Sequence, residues 1–209
     1  RAGLSCGSQG DAEGVPIPFS ARRNGLALGE GAALLMLEEA EFASARGARV
    51  IGEVKGHGAG YDRARGRDRD ESVRSVARAI RLALEDAGIG PEQVDCLSAS
   101  ANGSVAADRH EALGVQAALN GRARSLPVTA IKSMLGETLG ASAAMQTVTL
   151  LESIRQGLLP GIRQLEETEP DFPLALAGPD NRQVPLRNGL INAVGLDGNC
   201  CSLIVMRES

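Results

Sequence analysis

The sequence predicts an α/β layered fold with a mixed five-stranded sheet between helices. Short apolar runs bounded by glycines alternate along the 209 residues with stretches of helical spacing, as strands do with their covering helices. The chain closes on two strand-like runs joined by a Gly-containing turn, an antiparallel hairpin. The stretch 137–157 has almost no polar face in its first half, so it is expected as a helix buried on most sides.

Residues 1–18 read as loop. "GLALGEGAALLMLEE" carries small residues and then an aliphatic run, and reads as a buried strand ending near Glu38. "EEAEFASARGA" follows as a short helix stopped at Gly47. "RVIGEVKGHGAG" alternates in its first half and then breaks at its glycines, which marks a strand. From Ser72 the apolar residues, among them Val76, Ile80, Ala83 and Leu84, fall at helical spacing until "GIGP" ends the helix. "VDCLSAS" is a short strand entering a loop, and Asp108 is placed to cap a helix running to about Asn120. "LPVTAIKS" is the next strand. Residues 158–188 are Pro-rich and irregular, with "PLALAG" their one apolar patch, and "NGLINAVGLDGNCCSLIVMRE" forms the hairpin.

Composition narrows the function. Hydrophobic content of 43% and charged content of 23% are ordinary for a soluble globular chain. Aromatics make up 2%, with no Trp and one Tyr, which argues against nucleic-acid modules that stack bases on aromatic platforms. The net charge of −4 offers nothing to a phosphate backbone. The arginine run "YDRARGRDRDESVR" interleaves acids and reads as a solvated loop and helix start. No stretch approaches the ~18 apolar residues of a membrane span. Cys6, Cys96, Cys200 and Cys201 have no zinc or disulfide spacing, so no metal is expected and a reduced, cytoplasmic setting fits.

Chemistry is expected in the loops that follow strands, 98–108, 130–137 and 193–200. Lys132, one of very few lysines, stands where a strand becomes a helix. There it either adds charge for an anion at the helix N-terminus or snorkels from the strand end. His57 and His110 read as structural or surface residues. The glycine-rich "GLALGEG" and "GLDGN" fit neither a dinucleotide nor a P-loop fingerprint.

Taken together, these pieces resemble the C-terminal half of a β-ketoacyl synthase, the condensing enzyme of fatty-acid and polyketide assembly. "PFSARRNGLALGEGAALLMLEEAEFASARGA" is similar to that family's PFDxxRDGFVxGEGAGxLVLExxxxAxxRGA. The likeness continues through "DAGIGPEQVDCLSASANGSVAADRHEA", "PVTAIKSMLGETLGASAA", "GLLPG" and "INAVGLDGNCCSLIV". It covers nearly the whole chain from Pro18, in order. It implies a thiolase-like half over 18–209, with 1–17 as the linker or tail of a preceding N-terminal half.

The resemblance implies mostly subtraction for catalysis. The family's nucleophilic cysteine belongs to the other half, and none of the four cysteines here matches it. NAHGTSTPxxD aligns without gaps on "SASANGSVAAD", so the catalytic histidine position holds Ser100, while Asp108 and Glu111 match. In TKSxxGHxxGAxGGxE the lysine is Lys132, the second histidine is Glu137, and the last glutamate is Gln146. GFGGTN becomes "GLDGNC". The resemblance marks Asn102, Ser104, Leu196, Asp197 and Gly198 as substrate-binding candidates, and no catalytic role is assigned to Ser100, Lys132 or Glu137.

In the active family two imidazoles donate hydrogen bonds to the thioester oxyanion or enolate formed as malonyl carrier protein decarboxylates. Serine cannot titrate near neutrality, and an ionised Glu137 repels the enolate. A Lys132–Glu137 ion pair, with Gln146 relieved of its charge, is the expected arrangement. The implied function is a non-condensing, chain length factor-like subunit paired with an active ketosynthase or in a homodimer. No cofactor is expected to be bound, and substrate would arrive on the phosphopantetheine of an acyl carrier protein. The alternative is an acyltransferase or condensing enzyme whose nucleophile lies in the N-terminal half.

Overall fold

The structure, a computed structural model, describes residues 15–170, 172 and 174–207. The expected leading segment 1–17 therefore lies outside the described residues except at Val15–Ile17. The elements are α1 (Ala40–Ala45), β1 (Glu53–Tyr61), α2 (Arg69–Ala87), β2 (Cys96–Ser98), α3 (Val105–Leu119), β3 (Pro127–Thr129) and α4 (Lys132–Leu135). They continue with α5 (Ser142–Gln156), β4 (Leu158–Leu159), β5 (Ala175–Leu176), β6 (Arg182–Gln183), β7 (Asn188–Val194) and β8 (Asn199–Met206).

The sheet has six strands, not the expected five, in the order β1-β8-β7-β2-β3-β5. The first three are antiparallel and the rest run parallel from β7 onward, so the sheet is mixed. The patch "PLALAG", expected as irregular chain, supplies β5, whose two residues pair with Pro127 and Val128 at the sheet edge.

Both faces of this sheet are covered, and the alternation of the hairpin strands serves both. Leu190 and Ile204 join Ile80, Leu97, Val115 and Val128 in the core beneath α2 and α3. One residue along each strand, Ile191 and Val205 meet Leu150 and Ile154 of α5 on the other face. Each such aliphatic side chain stabilises by roughly 1.5–3 kcal/mol on burial.

The expected break at the "GHGAG" glycines does not occur, and β1 runs through them. Gly56, Gly58 and Gly60 face α2. A Cβ there would stand 2.3 Å from the Ala83 carbonyl oxygen, 2.0 Å from that of Ala79 and 2.4 Å from that of Ser75. Absence of side chains lets helix and strand backbones touch. Helix α2 also starts earlier than Ser72, because Asp68 accepts the Glu71 N–H at 3.0 Å as an N-cap. Its place along β1 is set at both ends. Ser72 Oγ donates to Asp62 Oδ2 at 2.7 Å, and the His57 N–H donates to Asp86 Oδ2 at 2.9 Å.

Three further expectations are corrected. The stretch 25–39 is extended but is not a buried strand. Beyond one bridge from Leu28 to Glu137 it has no ladder among the described residues, and Leu34, Met36 and Leu37 are 86%, 77% and 74% exposed. The apolar pattern is present, and no neighbouring strand is among the described residues. Helix α5 starts at Ser142 and not at Glu137. The Glu137 N–H donates to the Ala27 carbonyl at 2.8 Å and its own carbonyl accepts the Gly29 N–H at 3.0 Å, which holds it out of the helix. Ser104, not Asp108, occupies the N-cap of α3. Asp108 lies in the first turn and accepts the backbone N–H groups of Phe19 at 2.9 Å and Asn102 at 3.0 Å. Among the described residues no helix is long and apolar enough to cross a membrane.

Candidate functional site

Parallel strands β2, β3 and β7 end side by side, and the loops leaving them bring Ser100, Lys132 and Glu137 together. Ser100 follows β2, Lys132 opens α4 just past β3, and Glu137 follows α4. All three are buried. Lys132 Nζ donates to Glu137 Oε2 at 2.8 Å and to Ser100 Oγ at 3.3 Å. The Val194 N–H, from the end of β7, donates to the same Ser100 Oγ at 3.0 Å. The expected ion pair is therefore present.

Glu137 is fully engaged. Asn102 Nδ2 donates to Oε2 at 2.9 Å, Ser142 Oγ to Oε1 at 2.7 Å, and the Leu139 N–H to Oε1 at 3.0 Å. Burial pushes this carboxyl up. The Lys132 charge and the hydrogen bonds from Lys132, Asn102 and Ser142 outweigh burial and hold it below the ordinary glutamate value. Leu139, beside it, takes φ +52°, uncommon for an aliphatic residue.

A second buried carboxylate supports the first loop. Glu111 Oε1 accepts the Ser100 N–H at 2.8 Å and Asn192 Nδ2 at 2.6 Å. Asn192 Oδ1 in turn accepts Ser202 Oγ at 2.9 Å. Burial raises Glu111 to about 7 against those hydrogen bonds, and burial raises Asp108 to about 6 against three backbone donors and Arg23.

Gln146 is turned away from the lysine, towards the strand ends. Its Nε2 faces four oxygens: the carbonyls of Ser98 (3.1 Å), Ala99 (3.0 Å) and Asn192 (3.2 Å), and Ser98 Oγ (3.3 Å). Its Oε1 has no partner among the described residues. The amide is there as a donor to converging strand ends, and it makes no hydrogen bond to Lys132.

The substrate-binding candidates separate into two groups. Asn102 belongs to the cluster, and its Oδ1 accepts the Ser104 N–H at 3.1 Å. Leu196, Asp197 and Gly198 form the β7–β8 turn instead. Asp197 accepts the Asn199 N–H at 3.2 Å, the Gly198 carbonyl accepts the Asp62 N–H at 2.8 Å, and Leu196 is exposed. No hydrogen bond joins them to the cluster among the described residues. Sequence reasoning missed Asn192 and Ser142. An amide in the middle of the apolar run "GLINAV" was the available signal, because a buried amide requires partners.

The site holds no imidazole. His57 lies in β1 and His110 in α3, where burial lowers its pKa. Nor is a thiolate poised among the described residues. Burial pushes Cys96 up to about 12 and raises Cys200 and Cys201. Cys6 lies outside the described residues. The cluster is thus built from a lysine, a carboxylate, two hydroxyls and an amide that hydrogen-bond one another.

A mixed sheet covered by helices on both faces, with its site at the ends of parallel strands, is one half of a thiolase-like fold. Residues 51–166 match the family model "Beta-ketoacyl synthase, C-terminal domain", and the chain belongs to that family. It is 34% identical over 181 residues to nodulation protein E of Rhizobium sp. (strain N33), covering 87% of this chain and 44% of that protein. The ishigamide ketosynthase/chain length factor superposes with a TM-score of 0.86 at 35% identity, over 93% of this chain and 47% of that one. A type II polyketide acyl-carrier protein in complex with its ketosynthase matches with a TM-score of 0.89 at 26% identity, over 99% of this chain and 51% of that one. The chain thus spans under half the length of the curated relatives it matches.

Proposed function

We propose that this chain is the C-terminal half, over 18–209, of a non-condensing β-ketoacyl synthase-like subunit of polyketide or fatty-acid biosynthesis, chain length factor-like in role. Residues 1–17 would be the tail of a preceding half, and an active ketosynthase would be the partner. Substrate would reach the pair on the phosphopantetheine of an acyl carrier protein in the cytoplasm.

The observation that carries this reading is the Lys132–Glu137 pair at 2.8 Å, with Ser100 as its neighbour. An enolate or malonyl carboxylate entering there meets a buried carboxylate already holding its proton donors. The lysine charge that would attract the anion is spent on Glu137. Similarity to a ketosynthase/chain length factor structure supports the pairing.

The test is release of carbon dioxide from malonyl carrier protein by the full-length protein, alone and with an active ketosynthase. Alone it should match buffer, while the pair should turn over and set product length. Decarboxylation by the protein alone would overturn the reading and favour the acyltransferase alternative.

A further inference from the structure

We propose that residues 25–29 form a backbone strap that positions Asn102 and Glu137 together, so that the strap and the Lys132–Glu137 pair open and close as one unit. The strap crosses both loops that carry the cluster. Gly25 donates its N–H to the Gly103 carbonyl at 2.9 Å, next to Asn102. Two residues on, the Ala27 carbonyl accepts the Glu137 N–H at 2.8 Å, and the Gly29 N–H returns to the Glu137 carbonyl at 3.0 Å. One short stretch thus holds, by main chain alone, the two loops whose side chains meet at Asn102 Nδ2 and Glu137 Oε2, 2.9 Å apart. Lys132 Nζ donates to that same oxygen.

The fit leaves no slack. A Cβ on Gly29 would stand 1.8 Å from the Leu135 carbonyl oxygen, and one on Gly136, at φ +73°, would stand 2.9 Å from the Gly29 nitrogen. These are backbone atoms, which cannot turn aside as the end of a side chain can. The contact falls where Gly136 ends α4 and the chain turns Glu137 into the pocket.

The strap is anchored on one side only. Upstream, buried Arg23 donates to the carbonyls of Ser20 at 2.8 Å and Val105 at 3.1 Å and pairs with Glu169 at 2.8 Å. Asp108 accepts both the Phe19 and the Asn102 N–H groups. Downstream, the Gly29–Glu137 hydrogen bond is the last backbone tie among the described residues before the exposed ribbon of Leu34, Met36 and Leu37. Opening therefore starts at Gly29 and reaches Glu137 at once. Glu137 gives its main chain to the strap and its carboxylate to Lys132, so the coupling runs both ways. The bearing on function rests on the non-condensing reading above: a closed strap keeps Lys132 committed to Glu137.

Two readouts on the full-length protein test this. Lys132 and the exposed Lys55 are the lysines of the 209 residues. Acetylation by N-hydroxysuccinimide acetate, followed by peptide mass spectrometry, reads one against the other. Gly29→Ala should speed acetylation of Lys132 relative to Lys55 at least about tenfold, for the two backbone hydrogen bonds lost. That gain should be the same across low urea concentrations, as local opening requires. Ser142→Ala removes one donor from Glu137 Oε1 and no hydrogen bond of the strap. It should speed amide hydrogen exchange at Gly29 at least about threefold. Gly58→Ala crowds α2 against β1 instead, and should lower stability without moving either readout in the absence of urea. Unchanged Lys132 labelling in Gly29→Ala, unchanged Gly29 exchange in Ser142→Ala, or equal gains in Gly58→Ala overturns the strap. Should Gly29→Ala not fold, the exchange measurement on Ser142→Ala decides alone. The non-condensing reading stands or falls separately, on carbon dioxide release.

Discussion

Lys132 Nζ and Glu137 Oε2 stand 2.8 Å apart in a pocket where the same carboxylate also receives Asn102, Ser142 and the Leu139 N–H. Four donors on one buried carboxylate are what make its burial tolerable, and they also fix α4, the loop after β2 and the start of α5 to one another. The pair belongs to the stability of the site as much as to its chemistry.

Removing one partner should therefore be costly. Glu137→Gln is expected to destabilise the folded protein by about 3–5 kcal/mol at neutral pH, since Lys132 stays buried and charged. Lys132→Met/Glu137→Gln should cost less than the two single changes added together. Urea unfolding of the four proteins of this cycle measures both. Because the Glu137 pKa is lowered on folding, its contribution is present above the ordinary carboxylate range and is lost as pH falls below it.

Gln146→Glu should destabilise by about 3 kcal/mol or more at pH 7, because an ionised carboxyl would face four oxygens with no proton to give. The penalty should shrink as pH falls and the introduced group protonates. Combining the change with Glu137→His should not restore stability, because Gln146 makes no hydrogen bond to Lys132 and a carboxyl in its place would still face the same oxygens. Thermal melts at pH 5 and pH 8 distinguish these outcomes.

Glu111 carries the opposite pH sign. Its folded pKa of about 7 lies above the ordinary value, so the associated stability is full below about pH 4.5 and is lost as pH rises through 7. Glu111→Gln keeps an acceptor for Ser100 and Asn192 without the charge. Relative to the parent it should gain up to about 3 kcal/mol between pH 5 and pH 8, at about 1.4 kcal/mol per unit of pKa shift. Denaturant unfolding across that range measures the slope.

Residues 1–209 expressed alone are expected to associate or to unfold without a sharp transition, because Leu34, Met36 and Leu37 present an unpaired apolar ribbon. Light scattering with urea unfolding checks this. A cooperative monomer is the contrary result.

Much of this was legible from side chains that repeat or stand alone. The apolar spacing of α2 and the alternation of β7 and β8 follow directly from burial on one face or two. The ion pair was legible because residues 132 and 137 are five positions apart, at the two ends of short α4, and have opposite charges. Other features depend on distant partners and leave no local signal. Two-residue β5 is a strand only because β3 offers an edge. The β1 glycines read as a break until α2 is laid against them. Gln146 reads as a lost charge, whereas the carbonyls around it come from residues 46–48 positions away. Segment 25–39 carries the apolar pattern of a strand whose neighbours are not among the described residues.

The seam between β1 and α2 has a mechanical consequence. Gly56, Gly58 and Gly60 give the helix no knobs to interlock with, so the contact is smooth along its length and resists separation more than sliding. Axial position is held by two pins near the ends, Asp62 on Ser72 and Asp86 on the His57 N–H. Withdrawing the Asp86 pin would leave the helix registered against the strand from the Asp62 end alone.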